Sequence, residues 1–291
     1  MKISTSLGHG ISIGKVSAAE SALMMKKAGF HGVDLSLCEY QTEPWKILTD
    51  EWKAHVMVNV NALRAAGLEV AQTHMPFYYA HLKHPGSGTY QEYEDFLLPA
   101  YIRALEMTAE VGGKIAVMHP YYIEDSVDRT RYGNYKLIEK MMPTLEKYNL
   151  KIALENVWAE GYKDTHMSYP EDMLKVVETI GSEHVGLCID TGHANIFDIH
   201  IGNMARTFGK HLYALHMNGN SGKADSHTVP YSMSDWCENM EYLDFSAALK
   251  EIGYKGYYNM EVANGNLPPQ VAQPFYNYVA AVAQALAGLA E

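Results

Sequence analysis

The feature that most constrains the fold is a regular alternation of short β-type runs with longer helical runs along the whole chain. The pattern predicts eight strands, at residues 3–6, 33–37, 68–74, 114–119, 151–155, 185–190, 212–216 and 257–261. Several of the helical runs between them stop on a glycine, as at Gly29, Gly67 and Gly253. Such a series predicts parallel strands joined by crossover helices.

An open doubly wound sheet and a closed barrel both fit this series. The 291 residues divided by eight units give about 36 residues per unit, above the ~30 that a strand and its crossover helix need. No GxGxxG motif, which is typical of open dinucleotide-binding sheets, follows any strand. Ionisable residues end strands 3 to 8, and they converge only if the strands form a ring. We therefore predict an α/β fold, a single (β/α)8 TIM barrel domain over residues 1–291.

Composition and charge limit the classes of partner. Lys and Arg number 23 against 34 Asp and Glu, giving a net charge of −11, which argues against nucleic acid and anionic lipid and favours a small-molecule substrate. The three cysteines form no CxxC pair, and no run approaches the ~20 apolar residues of a membrane helix. We expect a cytoplasmic protein without membrane contact, and the sequence leaves homo-oligomer formation open.

Six predicted strands end in a side chain that can bind a metal ion. These residues are His74, His119, Glu155, Asp190, His216 and Glu261. Three more candidates follow strands 6 and 7, namely His193, Asp225 and His227. Mixed carboxylate and imidazole ligands suit Zn²⁺, Mn²⁺, Co²⁺ or Mg²⁺. Because the carboxyl ends of barrel strands meet on one face, the joint pattern predicts a divalent metal site there.

Each candidate taken alone has another interpretation. His74 and His119 can be hydrogen-bonded packing residues at the ends of their strands. Asp190 precedes Thr-Gly and can be a helix N-cap, and Asp225 and His227 can stabilise a turn. These alternatives remain open at the level of sequence.

Aromatic residues follow the predicted ligands in the loops after the strands. They can pack over the barrel mouth or stack on a sugar ring. Tyr78, Tyr121 and Trp158 are our candidates for substrate binding, together with Lys223 beside the strand-7 ligands. The arginines are scattered rather than clustered, which favours an unphosphorylated sugar.

The motifs around these residues resemble those of the xylose isomerase-like TIM barrel superfamily, which includes sugar phosphate isomerases/epimerases and endonuclease IV-type enzymes (AP endonuclease family 2). The resemblance spans essentially the whole chain. It is carried by Thr73-His74, Met118-His119-Pro120, Leu154-Glu155-Asn156, Asp190-Thr191-Gly192-His193, His216 with Asn218, Lys223-Ala224-Asp225-Ser226-His227 and Met260-Glu261-Val262.

The isomerase and epimerase branch implies one divalent ion held by Glu155, Asp190, His216 and Glu261. The resemblance also implies that Glu155 and Glu261 move a proton through a metal-stabilised enediolate. One carboxylate acting alone would favour isomerisation, and two would favour epimerisation. His193 would contact a substrate oxygen. We therefore expect a metal-dependent isomerase or epimerase acting on a sugar or keto-polyol.

The chain departs from the ketohexose 3-epimerases of this branch. Those enzymes carry a further Glu six residues after the strand-5 Glu and an Arg six residues after the metal His. Here the two positions are Gly161 and Gly222. Membership of that subgroup is therefore not expected.

Two other functions fit the same residues. An endonuclease IV-like phosphodiesterase would use three Zn²⁺ ions, and all nine of that family's ligand types have a counterpart when His74, His119, His193, Asp225 and His227 are added. The net charge and the lack of a basic stripe on any helix argue against it. The third possibility is a sugar-binding barrel or an auxiliary subunit of a sugar-processing complex.

Overall fold

The computed structural model describes residues 1–7, 16–38, 44–77, 90–120, 127–157, 167–232, 240–262 and 268–291. Eight strands run through these segments: β1 (Ile3–Leu7), β2 (Gly32–Ser36), β3 (Glu69–His74), β4 (Ile115–Met118), β5 (Lys151–Glu155), β6 (Val185–Asp190), β7 (Leu212–His216) and β8 (Tyr258–Met260). The helices are α1 (Ala18–Ala28), α2 (Asp50–Ala66), α3 (Tyr90–Val111), α4 (Val127–Tyr148), α5 (Pro170–Ile180), α6 (Thr191–Ile196), α7 (Ile201–Phe208), α8 (Tyr242–Glu251) and α9 (Pro269–Leu289).

The strands form one parallel sheet in the order β7-β6-β5-β4-β3-β2-β1-β8. The two ends of this sheet meet just beyond β7 and β8, where Met217 N donates to the Asn259 carbonyl over 2.8 Å. Glu261 N donates to the Met217 carbonyl over 3.1 Å. The predicted barrel of alternating strands and helices is confirmed, and a short bridge between Met217 and Met260 closes it.

Local sequence signals set many of the element ends. Ser17 and Glu20 form a reciprocal capping box at the start of α1. Gly29, Gly67 and Gly181 take positive φ angles of 105°, 70° and 65° after α1, α2 and α5, a conformation that glycine adopts without steric cost. These caps stop each helix close to where the next strand begins.

Two helical segments differ from the sequence-based expectation. The sequence of residues 120–134 is typical of a loop, because it carries Asp, Arg and Thr rather than an apolar stripe. In the structure, helix α4 already begins at Val127. Residues Thr191–Ile196 form the short helix α6. A helix of six residues shows no recognisable periodicity, and most of this one is buried.

The barrel interior contains a polar layer where TIM barrels usually pack branched apolar side chains. Ser4, Asp34, Gln72 and Asn259 are all buried there. Gln72 Nε2 donates to Asp34 Oδ2 over 2.8 Å, and Ser4 Oγ donates to Asn259 Oδ1 over 2.8 Å. Within the described segments, no helix has both the length and the apolar character needed to cross a membrane.

Candidate metal centre

All nine predicted metal-site residues lie at the carboxyl end of the barrel. Parallel pairing places Asp190 directly beside His216, and Glu155 beside β6. The register therefore brings together side chains that are distant in sequence. A cavity of about 110 Å³ opens on this end, lined by Ser6, Asp34, Ser36, Cys38, His74, Phe77, His119, Glu155, Val157, His193, Asp225, His227 and Glu261.

The central group consists of Glu155, Asp190, His216 and Glu261, which the four strands β5 to β8 deliver. One ligand atom from each lies within 4.8 Å of the other three. His216 Nδ1 is 3.1 Å from Glu155 Oε2 and 3.2 Å from Glu261 Oε2. Two carboxylate charges 4.8 Å apart, the upper limit of the ligand-atom separations in this group, repel each other by about 3 kcal/mol at the effective dielectric constant typical of proteins. A divalent cation would reverse the sign of this interaction.

The unpartnered atoms of this group fit a bound cation. Glu155 Oε2 and His216 Nδ1 are buried and make no hydrogen bond. Buried polar atoms without partners are rare and costly in native proteins. Oxygen and nitrogen atoms in this mixed arrangement are suitable ligands for a divalent ion.

Two further groups flank the central one. His74 Nε2 and His119 Nε2 each lie 3.4 Å from Glu155 Oε2, so Glu155 belongs to both groups. On the other side, His193 Nε2 and His227 Nε2 lie 3.3 and 3.0 Å from Asp225 Oδ2. Among the described residues, these three groups together contain all nine candidates, and each is a group that could hold a metal ion.

Backbone carbonyl groups orient three of the histidines. The Nδ1 atoms of His74, His193 and His227 contact the carbonyl oxygens of Met75, Asn156 and Glu261 at 2.9, 2.8 and 3.0 Å. A carbonyl oxygen only accepts, so each Nδ1 carries a proton, and Nε2 is the ring nitrogen that would bind a cation.

Asp190 combines the two roles that its sequence context suggested. Its Oδ1 accepts from His193 N over 2.7 Å and caps helix α6. Its Oδ2 accepts from Asn218 Nδ2 over 2.7 Å. The N-cap interpretation is therefore correct, and the same carboxylate still belongs to the central group.

His227 is held in an unusual backbone conformation. Its φ angle of 43° lies in the left-handed region, which residues other than glycine seldom adopt. The turn interpretation of Asp225 and His227 thus describes the backbone, while the side chains face His193 and Glu261. Strain of this kind is frequent at functional sites.

Burial and neighbouring charges shift the pKa values of the ionisable groups of the site in different directions. Burial raises the pKa of Asp190 to about 7. Burial also acts to raise the pKa of Glu155, but the charges of His216 and His119 outweigh it and hold that pKa well below its usual range. Burial acts to lower the pKa of His227, yet the hydrogen bond with Asp225 and the charge of Glu261 raise it to about 10. Near neutral pH, Asp190 and His227 therefore hold protons that an ion would displace.

Several residues of the site were missed by the sequence analysis. Asp34 Oδ2 lies 2.8 Å from His216 Nε2, and Cys38 Sγ lies 3.3 Å from His74 Nδ1. Phe77 stacks on His119 with the ring centroids 4.4 Å apart. For Asp34 the sequence offered one indication, because a charged residue interrupts the apolar run Val33-Asp34-Leu35.

The substrate-binding candidates have mixed outcomes. Lys223 is exposed and is not among the described residues that line this cavity, so its role in substrate binding stays a prediction. Tyr78, Tyr121 and Trp158 lie outside the described residues. Gly222 has a φ angle of 74°, which an arginine would adopt only with strain.

The chain belongs to the xylose isomerase-like TIM barrel family, whose sequence profile matches residues 23–285. Its relatives differ in assigned activity. An uncharacterized protein of Methanocaldococcus jannaschii, MJ1311, is 28% identical over 55% of this chain and 55% of its own length. A probable endonuclease 4 of Mycoplasmopsis pulmonis is 24% identical over 47% and 52% of the two chains. Inosose isomerase of Bacillus subtilis is 24% identical over 54% and 57%.

The chain therefore spans about half the length of these relatives. Solved structures match over a longer range. A D-tagatose 3-epimerase-like protein has a TM-score of 0.73 at 19% identity, covering 99% of this chain and 98% of that one. The 3-keto-D-glucoside 4-epimerase YcjR of E. coli has a TM-score of 0.70 at 18% identity, covering 98% and 99%. Identities this low establish a shared fold only.

Proposed function

We propose that this protein is a divalent-metal-dependent isomerase or epimerase of an unphosphorylated sugar or keto-polyol. The observation that carries the proposal is the central group of Glu155, Asp190, His216 and Glu261 beside a small cavity. The similarity to inosose isomerase of B. subtilis and the fold shared with sugar epimerases support it.

The four central residues would hold the ion. When bound, the ion would supply Lewis acidity to a substrate carbonyl and the adjacent hydroxyl, which acidifies the neighbouring C–H bond. Mn²⁺, Mg²⁺, Co²⁺ and Zn²⁺ all suit this ligand set.

Glu155 and Glu261 are the proposed proton carriers. They come from the ends of β5 and β8 and approach the cavity from different strands. Glu155 is 1% exposed and Glu261 is 21% exposed at the side chain, so Glu261 is the more accessible from the cavity. Carboxylates on two sides of a substrate can remove a proton from one face and return it to the other.

The cavity wall favours a neutral substrate. Phe77 and Val157 provide apolar surface, while His193 and Asp225 offer polar contacts to hydroxyl groups. Among the described lining residues there is no lysine or arginine. A phosphate group would therefore lack the fixed cationic side chains that usually bind it.

The test of this function is proton exchange with solvent. We expect the Mn²⁺- or Co²⁺-loaded protein to incorporate deuterium from D2O at a carbon next to the carbonyl of at least one keto-sugar or inosose in a panel. The Glu261→Gln variant serves as the matched control and should show no incorporation. Binding of these compounds without any exchange would contradict the proposal and support a sugar-binding subunit.

A second function is favoured by one specific observation. The three adjacent ligand groups, two of which share Glu155, together use all nine ligand candidates, and a phosphodiesterase similar to endonuclease IV would need three ions there. The similarity to the probable endonuclease 4 of M. pulmonis adds support. Cleavage of abasic DNA or of bis(p-nitrophenyl) phosphate by the Zn²⁺-loaded protein, without sugar exchange, would favour this function over the first.

A further inference from the structure

Asp34 is a buried carboxylate that contacts the central group from behind. It lies on β2 and is 1% exposed. Its Oδ2 atom lies 2.8 Å from His216 Nε2, on the side of the imidazole ring away from the other ligands. Because an ionised carboxylate only accepts, this contact requires the proton of His216 on Nε2. The other ring nitrogen, Nδ1, faces Glu155 Oε2 at 3.1 Å and Glu261 Oε2 at 3.2 Å and is the one that would bind an ion.

The group that orients the His216 ring differs from the groups that orient the flanking histidines. His74, His193 and His227 are oriented by neutral backbone carbonyls. The Nε2 contacts of His193 and His227 are to Asp225, a member of their own ligand group. The Nε2 atom of His216 instead contacts a carboxylate that belongs to none of the ligand groups. A carboxylate partner raises the basicity of the ligating nitrogen more than a carbonyl does.

Several donors surround one oxygen of Asp34, while its other oxygen, Oδ1, is buried without a hydrogen-bond partner. Its Oδ2 atom also accepts from Gln72 Nε2 over 2.8 Å and from Asn259 Nδ2 over 3.3 Å. Donors from three strands, β3, β7 and β8, thus converge on one oxygen. A buried charge is expensive for folding, and an apolar residue would fill this barrel layer at lower cost. The network therefore favours a role for the charge in the site.

We propose that Asp34 is a positioning residue that holds His216 with its proton on Nε2 and strengthens Nδ1 as the nitrogen ligand of the central ion. This inference rests on the proposed metal-dependent function. Asp34 acts through His216, without contact to the ion. The consequence is a measurable dependence of metal affinity on the charge of Asp34.

The test compares Asp34→Asn with a control variant in the same network. Asparagine has nearly the shape of aspartate and can keep an oxygen toward His216, so the substitution removes mainly the charge. Ser4→Ala removes the hydrogen bond from Ser4 to Asn259 but leaves His216 and Asp34 untouched. Mn²⁺ and Co²⁺ affinities are measured by competition with a chelator on each folded protein.

We expect Asp34→Asn to bind the central ion about 10- to 100-fold more weakly, and Ser4→Ala to stay within about twofold of the wild type. Equal affinity in the wild type and Asp34→Asn would overturn the Asp34 proposal alone. A wild-type protein that binds no divalent ion would contradict the proposed function, and this inference with it. The two failures are thus distinguishable.

A second measurement needs no variant. Nitrogen-15 NMR of histidine side chains in the Zn²⁺-loaded wild type, with the His216 signals assigned, reports which ring nitrogen carries the proton. We expect the proton on Nε2 and the metal on Nδ1. Metal bound through Nε2 of His216 would overturn the proposal even if Asp34→Asn failed to fold.

Discussion

The two ends of the barrel carry their ionisable side chains in opposite ways. At the amino end, Lys2 Nζ and Glu69 Oε2 form an ion pair at 2.7 Å with side chains 52% and 58% exposed, and Tyr257 donates to the same carboxylate. At the carboxyl end, the side chain of Glu155 is 1% exposed, and the carboxylates of Glu155 and Glu261 both contact Nδ1 of His216. The charged side chains at the amino end form an ion pair that is exposed to solvent, whereas the ionisable side chains at the carboxyl end are clustered and mostly buried.

A binding site is usually expected in the larger cavity, but here the larger of the two cavities lies at the amino end of the barrel. The cavity at the amino end has a volume of about 530 Å³, against about 110 Å³ at the carboxyl end. The larger cavity is lined by residues such as Arg64, Lys114 and Tyr257, which lie on a barrel face associated with stability. Buried like charges and unpartnered atoms, rather than volume, therefore mark the candidate site.

Among the substitutions that test this difference between the two ends, we expect the largest effect from Glu155→Gln. Glu155→Gln removes the carboxylate shared by two ligand groups and one proposed proton carrier. We expect loss of the central ion and a fall in the rate of deuterium exchange of about 10²- to 10⁴-fold. Metal content and exchange are measured on the same preparation. A variant that keeps its ion and exchanges at near wild-type rate would contradict the assigned role.

The second prediction concerns the pH dependence of metal binding. Burial raises the pKa of Asp190 to about 7, and Asp225 and Glu261 raise the pKa of His227 to about 10 against the effect of burial. An ion that binds Asp190 must displace its proton, so affinity should rise as the pH rises from 6 to 8. We expect up to about tenfold per pH unit for each proton released.

Calorimetry in two buffers with different ionisation enthalpies measures the released protons directly. At pH 6 the central ion should release about two protons. One comes from Asp190, and the other from His216, whose pKa the charge of Glu261 raises well above its usual range against the effect of burial. An affinity that is constant between pH 6 and pH 8, without proton release, would show that Asp190 is already ionised in the metal-free protein.

The smallest effect is expected at the amino end. Glu69→Gln makes the same chemical change as Glu155→Gln, but at an exposed ion pair with Lys2. Exposed ion pairs contribute little to stability. We expect the Tm to change by no more than about 2 °C, and metal content and exchange rate to stay within about twofold of the wild type. A large loss of exchange in this variant would mean that the two ends are coupled.

Much of the fold follows from local signals in the sequence. Strands β5, β6 and β7 were predicted with the bounds that the structure shows. Helix α5 begins at a proline and ends before Gly181, so both its ends were predicted as well. Helix α6 was missed because six mostly buried residues carry no periodic pattern.

The grouping of the nine ligand candidates was accessible to sequence analysis because each residue ends or closely follows a strand. Contacts within the barrel were not accessible. Asp34 and His216 are separated by 182 residues, and their contact depends on closure of the ring and on the register of β2 and β7. An isolated charged residue in an apolar strand signals a buried partner, but it does not identify that partner.

The measurement that tests the central claim most directly is the number of metal ions per chain, determined by elemental mass spectrometry of the purified protein. The account predicts one Mn²⁺, Co²⁺ or Mg²⁺ per chain, lost in Glu261→Gln and retained in His227→Ala. A protein without a bound ion after exposure to all of these metals would contradict the account. Three Zn²⁺ per chain, reduced by His227→Ala, would contradict the single-ion site and favour phosphodiester hydrolysis.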